Sequence, residues 1–212
     1  MPIITRLVQG KKNPNRVNLY IDGQFAFALS IDEVAKNSLK KGLTISNEQI
    51  AYLKDADATE YIYVKLLNFL SYRPRTIQEV RDRLYKYKVK EVDKQNALID
   101  KLTSKGYLDD LAFTSWFIQS RNKSRPRSSR MLVAELKSKG VSEEVIKSVI
   151  YQATDESATI SHLLTKKFGI PHQLDQVARQ KIYGFLTRQG FTWDKIMEVV
   201  KNWESGYNTD IF

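Results

Sequence analysis

The tetrapeptide RPRT at residues 73–76 recurs as RPRS at residues 125–128, and this repetition is the basis for predicting the fold. In each copy the proline is expected to end one helix, and the threonine or serine that follows is a preferred cap for the next. The apolar residues that follow at the same spacing are Val80 and Leu84 in the first copy and Leu132 and Leu136 in the second. A unit that recurs at a period of about 50 residues predicts tandem copies of one helical structure.

A third, weaker copy is visible further along the chain. Residues 186–200 repeat the order of residues 136–150, with a leucine, a glycine four residues later, an apolar residue and a helix, but without an RPR triplet. We therefore predict a mainly α fold of three tandem three-helix repeats that form an elongated curved array. The predicted repeats cover residues 57–107, 108–153 and 154–212.

Apolar periodicity and capping residues predict the individual helices of these repeats. Thr76 and Glu79 form a capping box at the start of the second helix of the first repeat. Asp109 and Asp110 begin the first helix of the second repeat, since carboxylates suit the positive end of a helix dipole. The residues expected to line the buried stripe of that helix are Ala112, Phe113, Trp116, Phe117 and Ser120.

Residues 1–56 have a different pattern. Three short segments rich in β-branched and aromatic residues, ITRLVQ, RVNLYI and QFAFALS, are separated by KKNPN and by Asp22-Gly23, which is a strong hairpin signal. They predict a small three-stranded antiparallel sheet covered by short helices. One helix ends at Lys41-Gly42, a second begins at Ser46, and a separate helix at about residues 58–71 opens the first repeat.

The composition indicates a basic protein whose partner carries negative charge. The 212 residues have a formal net charge of +10 and a pI of about 9.6, which favours nucleic acid, a nucleoprotein or an acidic protein surface as partner. Cysteine is absent, so disulfides and thiolate metal sites are excluded. The N-terminus lacks the layout of a signal peptide, and no apolar run reaches the roughly 18 residues of a membrane span. We expect a soluble, cytoplasmic monomer with no membrane contact.

The residues give no positive support for an enzyme, a metal site or a cofactor. His162 and His172 stand ten residues apart without neighbouring ligands, and no glycine-rich phosphate loop or GxSxG elbow occurs. Asp109 and Asp110 could hold Mg²⁺, but their place at a helix start explains both carboxylates without a metal. A nuclease or a transferase would need a catalytic constellation that the sequence does not contain.

Clusters of basic residues are the positive signal for function. Residues 65–90 and 119–139 are rich in Lys and Arg and poor in acids, and the clusters occupy equivalent places in consecutive repeats. Arginine heads at the turns suit phosphate or carboxylate groups, although a solvated surface is the simpler interpretation of an isolated charge run. The candidate partner-binding residues are Arg73, Arg75, Arg81, Arg83, Lys86, Lys88, Arg121, Lys123, Arg125, Arg127 and Arg130.

Four stretches resemble the RecX family, which consists of bacterial regulators of the RecA recombinase. They are SYRPRTIQEVRDRLYKYKV at residues 71–89, IDKLTSKGYLDDLAFTSWFIQSR at 99–121, LVAELKSKGVSEEVI at 132–146 and LTRQGFTWDKIMEVV at 186–200. The most specific part is GYLDDLAF at residues 106–113. The resemblance covers about residues 58–204, and the β-rich front is similar to an extension found in some members from Gram-positive bacteria.

The resemblance implies a function that composition cannot supply. Members of the family bind RecA, lie along the groove of the RecA–DNA filament and dampen its ATP hydrolysis, strand exchange and co-protease action on the SOS repressor. Our hypothesis is therefore a non-enzymatic modulator of this filament. The alternative is a stand-alone DNA-binding protein, because three-helix units with a short turn are similar to helix-turn-helix modules. The sequence leaves open whether DNA is bound directly and what the β-rich front does.

Overall fold

The computed structural model describes residues 1–206, and the chain divides into two compact units. Unit 1 is Met1–Phe69, and unit 2 begins at Leu70. Ten helices follow a small sheet in the described residues, so the predicted mainly α class with a three-stranded sheet in front is confirmed. Within residues 1–206, no helix is long and apolar enough to span a lipid bilayer.

The sheet of unit 1 is antiparallel, with the strand order β1-β2-β3. Its strands are β1 Ile4–Gln9, β2 Arg16–Ile21 and β3 Gln24–Ser30. The turn between β2 and β3 places Asp22 at φ 49° and Gly23 at φ 86°, which is the left-handed conformation that a type I′ hairpin requires at both positions. The hairpin predicted from Asp22-Gly23 is therefore confirmed.

Helix α1, Ile31–Lys36, follows the sheet and is shorter than the sequence predicts. The side chain of Asn37 donates a hydrogen bond to the carbonyl oxygen of Glu33 at 2.9 Å, and Ser38 adopts φ 50°. A residue in the left-handed region cannot continue a right-handed helix. The helix therefore stops before the Lys41-Gly42 turn at which we expected it to end.

Helix α2, Asn47–Ser71, is continuous where we expected two separate helices. Residues 54–58, KDADA, contain neither glycine nor proline, so nothing in the local sequence interrupts the hydrogen-bond ladder. The carboxylate of Asp57 accepts two hydrogen bonds from Arg16 of β2, at 2.5 and 2.8 Å, which hold the middle of α2 against the sheet. The predicted break between the helices is wrong, and the predicted boundary at residue 57 lies inside one helix.

Eight further helices lie in the described part of unit 2. They are α3 Ile77–Lys86, α4 Val92–Ser104, α5 Asp110–Ser124, α6 Ser129–Ser138, α7 Glu143–Ala153, α8 Glu156–Phe168, α9 Gln176–Arg188 and α10 Trp193–Ser205. We call α5–α7 repeat 2 and α8–α10 repeat 3, and assign α3 and α4 to repeat 1. The limits predicted for the repeats themselves stay predictions.

Repeats 2 and 3 each surround a hydrophobic core of their own. In repeat 2 the rings of Phe113 and Phe117 stack at 5.8 Å between centroids and pack with Leu132, Leu136 and Ile146. The core of repeat 3 draws on all three of its helices and includes Ile160, Leu164, Ile182, Leu186, Ile196 and Trp203. The two cores form separate clusters, and polar contacts between helix ends connect the repeats.

The buried face of α5 differs from the predicted stripe. The buried side chains are Phe113, Thr114, Phe117 and Ile118, with Trp116 half-buried. Ala112 and Ser120 are exposed, so the prediction is wrong at these two positions. Thr114 can be buried because its hydroxyl donates to the carbonyl oxygen of Asp110 at 2.7 Å, inside its own helix.

Candidate partner-binding surface

The RPRT turn lies where repeat 1 meets repeat 2. Thr76 caps α3 by accepting a hydrogen bond from the backbone N–H of Glu79 at 3.0 Å, and its hydroxyl donates to the carbonyl oxygen of Lys139, at the end of α6, at 2.8 Å. The backbone N–H of Ile77 donates to Oδ1 of Asp110, the first residue of α5, at 2.9 Å. We call these contacts joint 1.

The RPRS turn makes a similar junction between repeats 2 and 3, which we call joint 2. The backbone N–H of Ser128 donates to the carbonyl oxygen of Gln189, at the end of α9, at 3.1 Å. The N–H of Ser129 donates to Glu156, the first residue of α8, at 2.7 Å. At both joints the N-terminus of one helix meets the C-terminus of another, so opposite ends of two helix dipoles face each other. The repeated tetrapeptide therefore has a structural role in connecting repeats.

Repeat 3 has no RPR triplet, and the polar groups at the start of its second helix bind to residues of repeat 3 itself. Asp175 caps α9 by accepting a hydrogen bond from the N–H of Ala178 at 2.7 Å. The N–H of Leu174 donates to Glu204 of α10 at 3.1 Å, and Arg179 donates to the same carboxylate at 2.8 Å. The end of α10 thus supplies the carboxylate that a neighbouring repeat supplies at joints 1 and 2.

A glycine at each joint lets two helix ends come close together. Gly140 follows α6 with φ 78° and Gly190 follows α9 with φ 88°, both in the left-handed region. A Cβ atom on Gly140 would overlap the side chain of Gln78 in α3, and one on Gly190 would lie 2.6 Å from Oγ of Ser128. Backbone conformation and close packing therefore both require glycine at these positions.

The arginine of the first turn forms an ion pair within the protein. Arg73 donates from its two Nη atoms to the two carboxylate oxygens of Glu79, at 3.0 and 2.8 Å, and Nζ of Lys139 lies 3.6 Å from the same carboxylate. Burial would raise the pKa of Glu79, but the hydrogen bond and charge of Arg73, with the charge of Lys139, hold it below its ordinary value. Glu79 also accepts from the N–H of Thr76, which confirms the predicted capping box.

Glu135 holds two more of the predicted contact residues. Its carboxylate accepts a hydrogen bond from Nε of Arg121 at 2.7 Å and lies 3.2 Å from Nη1 of Arg127. The guanidinium of Arg121 also lies 4.8 Å from the ring centre of Phe117. Arg73, Arg121 and Arg127 are thus engaged by acids of the protein itself, at about one-third exposure of each arginine side chain.

A basic cleft opens beside each joint, between the RPR turn and the first helix of the next repeat. Cleft 1 has a volume of about 210 Å³ and is lined by Arg73, Phe113, Trp116, Phe117, Ser120, Arg121 and Lys139. Cleft 2 has a volume of about 560 Å³ and is lined by Ser124, Arg125, Pro126, Arg127, Leu163, Lys166, Lys167, Phe185 and Gln189. Because Arg73 and Arg125 hold the same place in the two turns, the two clefts are equivalent sites of consecutive joints.

One ion-paired residue links the two clefts. Glu135 links them, since it pairs with Arg121, which lines cleft 1, and with Arg127, which lines cleft 2. We define the joint band as the basic residues of the two clefts, which are Arg73, Arg121, Arg125, Arg127, Lys139, Lys166 and Lys167. The structure thus brings four of the predicted contact residues together across two repeats.

The other predicted contact residues line neither cleft and therefore lie outside the joint band as defined here. Arg75, Arg81 and Arg83 are half-buried, and burial together with the charge of Arg73 lowers the pKa of Arg75. Lys86 and Lys88 are exposed at the end of α3, which is about 15 Å from its first turn. Lys123 and Arg130 are exposed on either side of the RPRS turn. Whether these residues contact a partner stays a prediction.

Three members of the joint band were absent from the predicted site. Lys139 lies just before a glycine stop, and Lys166 and Lys167 end α8, where positive charge suits the helix dipole. Each position has a local explanation, so no local pattern marks it as part of a site. In repeat 3, the adjacent pair Lys166-Lys167 at the end of α8 was the sequence feature that could have indicated this part of the site.

The two aspartates considered for Mg²⁺ act as helix caps. Asp109 accepts hydrogen bonds from the N–H groups of Leu111 and Ala112, at 2.8 and 3.0 Å, at the start of its own helix. Asp110 instead reaches across to the start of α3. In the part of the chain that the structure describes, no group of three or more His, Cys, Asp or Glu residues is arranged to hold a metal ion.

Asp110 provides a test of joint 1. Burial, together with the nearby carboxylates of Asp109 and Glu79, raises its pKa, although the hydrogen bond from Ile77 opposes the shift. A raised pKa means that ionisation is less favourable in the folded chain, so the contribution of this group to stability falls as the pH rises from 3.8 through the raised value. Asp110→Asn keeps the hydrogen-bond acceptor without the charge and is expected to be neutral or slightly stabilising at pH 7.

Asp110→Ala removes the acceptor and should lower the free energy of unfolding by about 1–2 kcal/mol, because a partly buried N–H loses its partner. Urea unfolding followed by tryptophan fluorescence measures this directly, since Trp116, Trp193 and Trp203 all belong to unit 2. Equal losses in the Asn and Ala variants would show that the hydrogen bond does not stabilise joint 1.

Comparison with known protein families finds an N-terminal domain followed by three three-helix domains, which is the order of elements along this chain. Residues 2–46 match the regulatory protein RecX N-terminal domain, and residues 63–92, 109–150 and 154–200 match the first, second and third three-helix domains of RecX. A regulatory protein RecX from Halalkalibacterium halodurans is 33% identical over 209 residues, which cover 93% of this chain and 77% of that relative. The chain belongs to the RecX family.

Other members support this assignment. Regulatory protein RecX from Lactobacillus gasseri is 30% identical over 195 residues, which cover 90% of this chain and 71% of the relative. A crystal structure of a regulatory protein RecX shares the fold, with a TM-score of 0.75 at 24% identity, and the match covers 95% of this chain and 100% of that one. RecX is a family of regulatory proteins, so a regulatory role follows for this chain.

Proposed function

We propose that this RecX-family protein binds the filament that RecA forms on DNA and dampens its ATPase, recombinase and co-protease activities. In this role it acts in DNA repair and the SOS response, in the cytoplasm, as a monomer without a cofactor or a catalytic reaction of its own. The observation that carries the proposal is the joint band, because it connects basic side chains of successive repeats into one surface.

The joint band suits a partner whose negative charges recur at intervals. Tandem repeats present equivalent surfaces in succession, and a filament presents equivalent subunits in succession. Arg125 lies in cleft 2, and Lys123 and Arg130 flank the same turn; all three are exposed. Among residues 1–206, no acid forms an ion pair with these three side chains, so they can meet an acidic partner without first breaking an internal pair.

The direct test is a titration of the protein into RecA on single-stranded DNA while ATP hydrolysis is followed. We expect inhibition well below one copy per RecA, because one blocked filament end or groove position affects many subunits. Unchanged ATP hydrolysis at equimolar protein would contradict the proposal.

Charge reversal then tests the surface. The variant Lys123→Glu, Arg125→Glu, Arg130→Glu should weaken the inhibition by about tenfold or more, since three exposed attractive charges become repulsive. The matched control reverses three exposed lysines that line neither cleft, Lys40, Lys41 and Lys105. Circular dichroism checks that both variants fold. Equal inhibition by the two variants would exclude Lys123, Arg125 and Arg130 from the contact.

The acids at the start of the third helix of each repeat argue against the stand-alone DNA-binding alternative. A recognition helix of helix-turn-helix type contacts bases with its N-terminal residues. The corresponding helix starts here carry negative side chains: Glu91 and Asp93 at α4, Glu143 and Glu144 at α7, and Asp194 at α10. Tight, salt-sensitive binding to bare DNA without an effect on RecA would favour the alternative.

A further inference from the structure

We infer that cleft 2 binds an acidic peptide segment of a protein partner, with one or two carboxylates beside an apolar side chain. The inference deepens the proposed function and rests on it only in taking the partner to be a protein. At cleft 1 the cations already pair with carboxylates of the protein itself, which shows the chemistry that such a group of cations binds.

The two clefts differ in the residues that supply negative charge. Three cations that line cleft 1, Arg73, Lys139 and Arg121, pair with Glu79 or Glu135 of the protein itself. The third residue after the cap is Glu79 in joint 1 and Met131 in joint 2. Four residues before the C-cap of the helix lies Glu135 in α6, whose C-cap is Lys139, and Phe185 in α9, whose C-cap is Gln189. The two acids that pair with the cations of cleft 1 thus correspond to the apolar residues Met131 and Phe185 at the equivalent positions of joint 2.

The cations of cleft 2 are accordingly left without internal carboxylates. Arg125, Lys166 and Lys167 are exposed, and within residues 1–206 none of them forms an ion pair. Arg127 is the exception, since it pairs with Glu135. Three positive side chains around one cavity repel each other, and an external anion relieves that repulsion.

The shape and lining of cleft 2 favour a peptide over a nucleotide. Its volume of about 560 Å³ accommodates several side chains, and Leu163 and Phe185 supply apolar surface. The ammonium of Lys167 lies 3.7 Å from the ring centre of Phe185, the aromatic residue that lines the cleft. Lys167 therefore covers one face of this ring, and a base could stack there, as bases of single-stranded nucleic acid commonly do on aromatic rings, only by displacing it. Glutamate beside leucine matches both the charge and the apolar lining.

Two variants separate the role of this cleft from folding. Lys166→Gln with Lys167→Gln removes two exposed charges, and its matched control is the exposed adjacent pair Lys40→Gln with Lys41→Gln. Met131→Glu copies Glu79, because it places a carboxylate three residues after the Ser128 cap, as in joint 1. We expect this carboxylate to pair with Arg125 as Glu79 pairs with Arg73, and urea unfolding checks that the variant keeps its stability.

The experiment measures fluorescence anisotropy of a short labelled peptide that alternates Glu and Leu, with a Gln-for-Glu peptide and a labelled single-stranded oligothymidylate for comparison. We expect the Glu peptide to bind the wild-type protein, and both cleft variants to weaken that binding by about tenfold, or about 1.4 kcal/mol, while the lysine-pair control leaves it unchanged. Unchanged peptide binding in both cleft variants would overturn the inference, as would a loss confined to the oligonucleotide.

The same variants in the RecA titration keep the two proposals distinguishable. If wild-type protein inhibits RecA and both cleft variants inhibit it equally well, the inference fails and the proposed function stands. If wild-type protein has no effect on RecA but the cleft variants still lose peptide binding, the proposed function fails and the site itself is supported.

Discussion

Replacing Gly140 with alanine is expected to lower the free energy of unfolding of unit 2 by about 3–5 kcal/mol. Part of the loss comes from φ 78°, which alanine adopts at a cost of about 1–2 kcal/mol. The larger part comes from the new Cβ atom, which would overlap Cβ of Gln78 and lie 2.7 Å from its Cγ. The Cβ atom of Gln78 is fixed to the first turn of α3, so relief requires the two helix ends of joint 1 to separate.

Gly106 offers a matched control for this substitution. It also follows a helix with a left-handed conformation, at φ 73°, but a Cβ atom there would meet no atom within 4 Å. Gly106→Ala should therefore cost only the about 1–2 kcal/mol of the left-handed conformation. Urea unfolding followed by tryptophan fluorescence compares the two variants. Similar losses would mean that close packing at joint 1 does not stabilise unit 2.

Replacing Thr76 with valine is expected to lower the free energy of unfolding by about 2–4 kcal/mol. Thr76 is fully buried, and its hydroxyl both accepts from the N–H of Glu79 and donates to the carbonyl oxygen of Lys139. Valine has nearly the same shape but leaves both backbone groups without this partner. The loss therefore measures the hydrogen bonds and not a cavity.

Thr76→Ser is the corresponding control, because serine keeps the hydroxyl and occupies the equivalent place at joint 2 as Ser128. It should cost less than about 1.5 kcal/mol, as for the loss of one buried methyl group. Amide hydrogen exchange adds a local reading, since the N–H of Glu79 should lose protection in the valine variant and keep it in the serine variant. Retained protection in both variants would contradict the capping role of this hydroxyl.

Features with a local cause were predictable from the sequence. Asp22-Gly23 specifies its hairpin because few residues tolerate two successive positive φ angles, and Thr76 with Glu79 specifies a helix start through contacts three residues apart. Helix α2 was misread for a related reason: the capping residues that open it at Ser46 suggested a short helix, and no breaker marks where a second one would begin. In a sequence, the only sign that a helix continues is the absence of a helix-breaking residue.

The candidate site depends on contacts that no local pattern contains. Thr76 and Lys139 are 63 residues apart, and the hydrogen bond between them connects two repeats at joint 1. Charge counting identified Arg73, Arg121, Arg125 and Arg127, but it could not show that Glu79 and Glu135 engage three of them. The difference between the clefts appears only when Met131 and Phe185 are placed opposite those acids.

The two halves of a joint differ, and repeat 2 carries one half of each kind. Within residues 1–206, repeat 2 supplies both sides of a junction: the turn at Ser128 on one side, and Asp110, Lys139 and Gly140 on the other. A duplicated copy of residues 108–153 would carry complementary groups for its own twin. Gene duplication could therefore lengthen such a protein in whole steps, with the spacing between successive basic clefts preserved at every step.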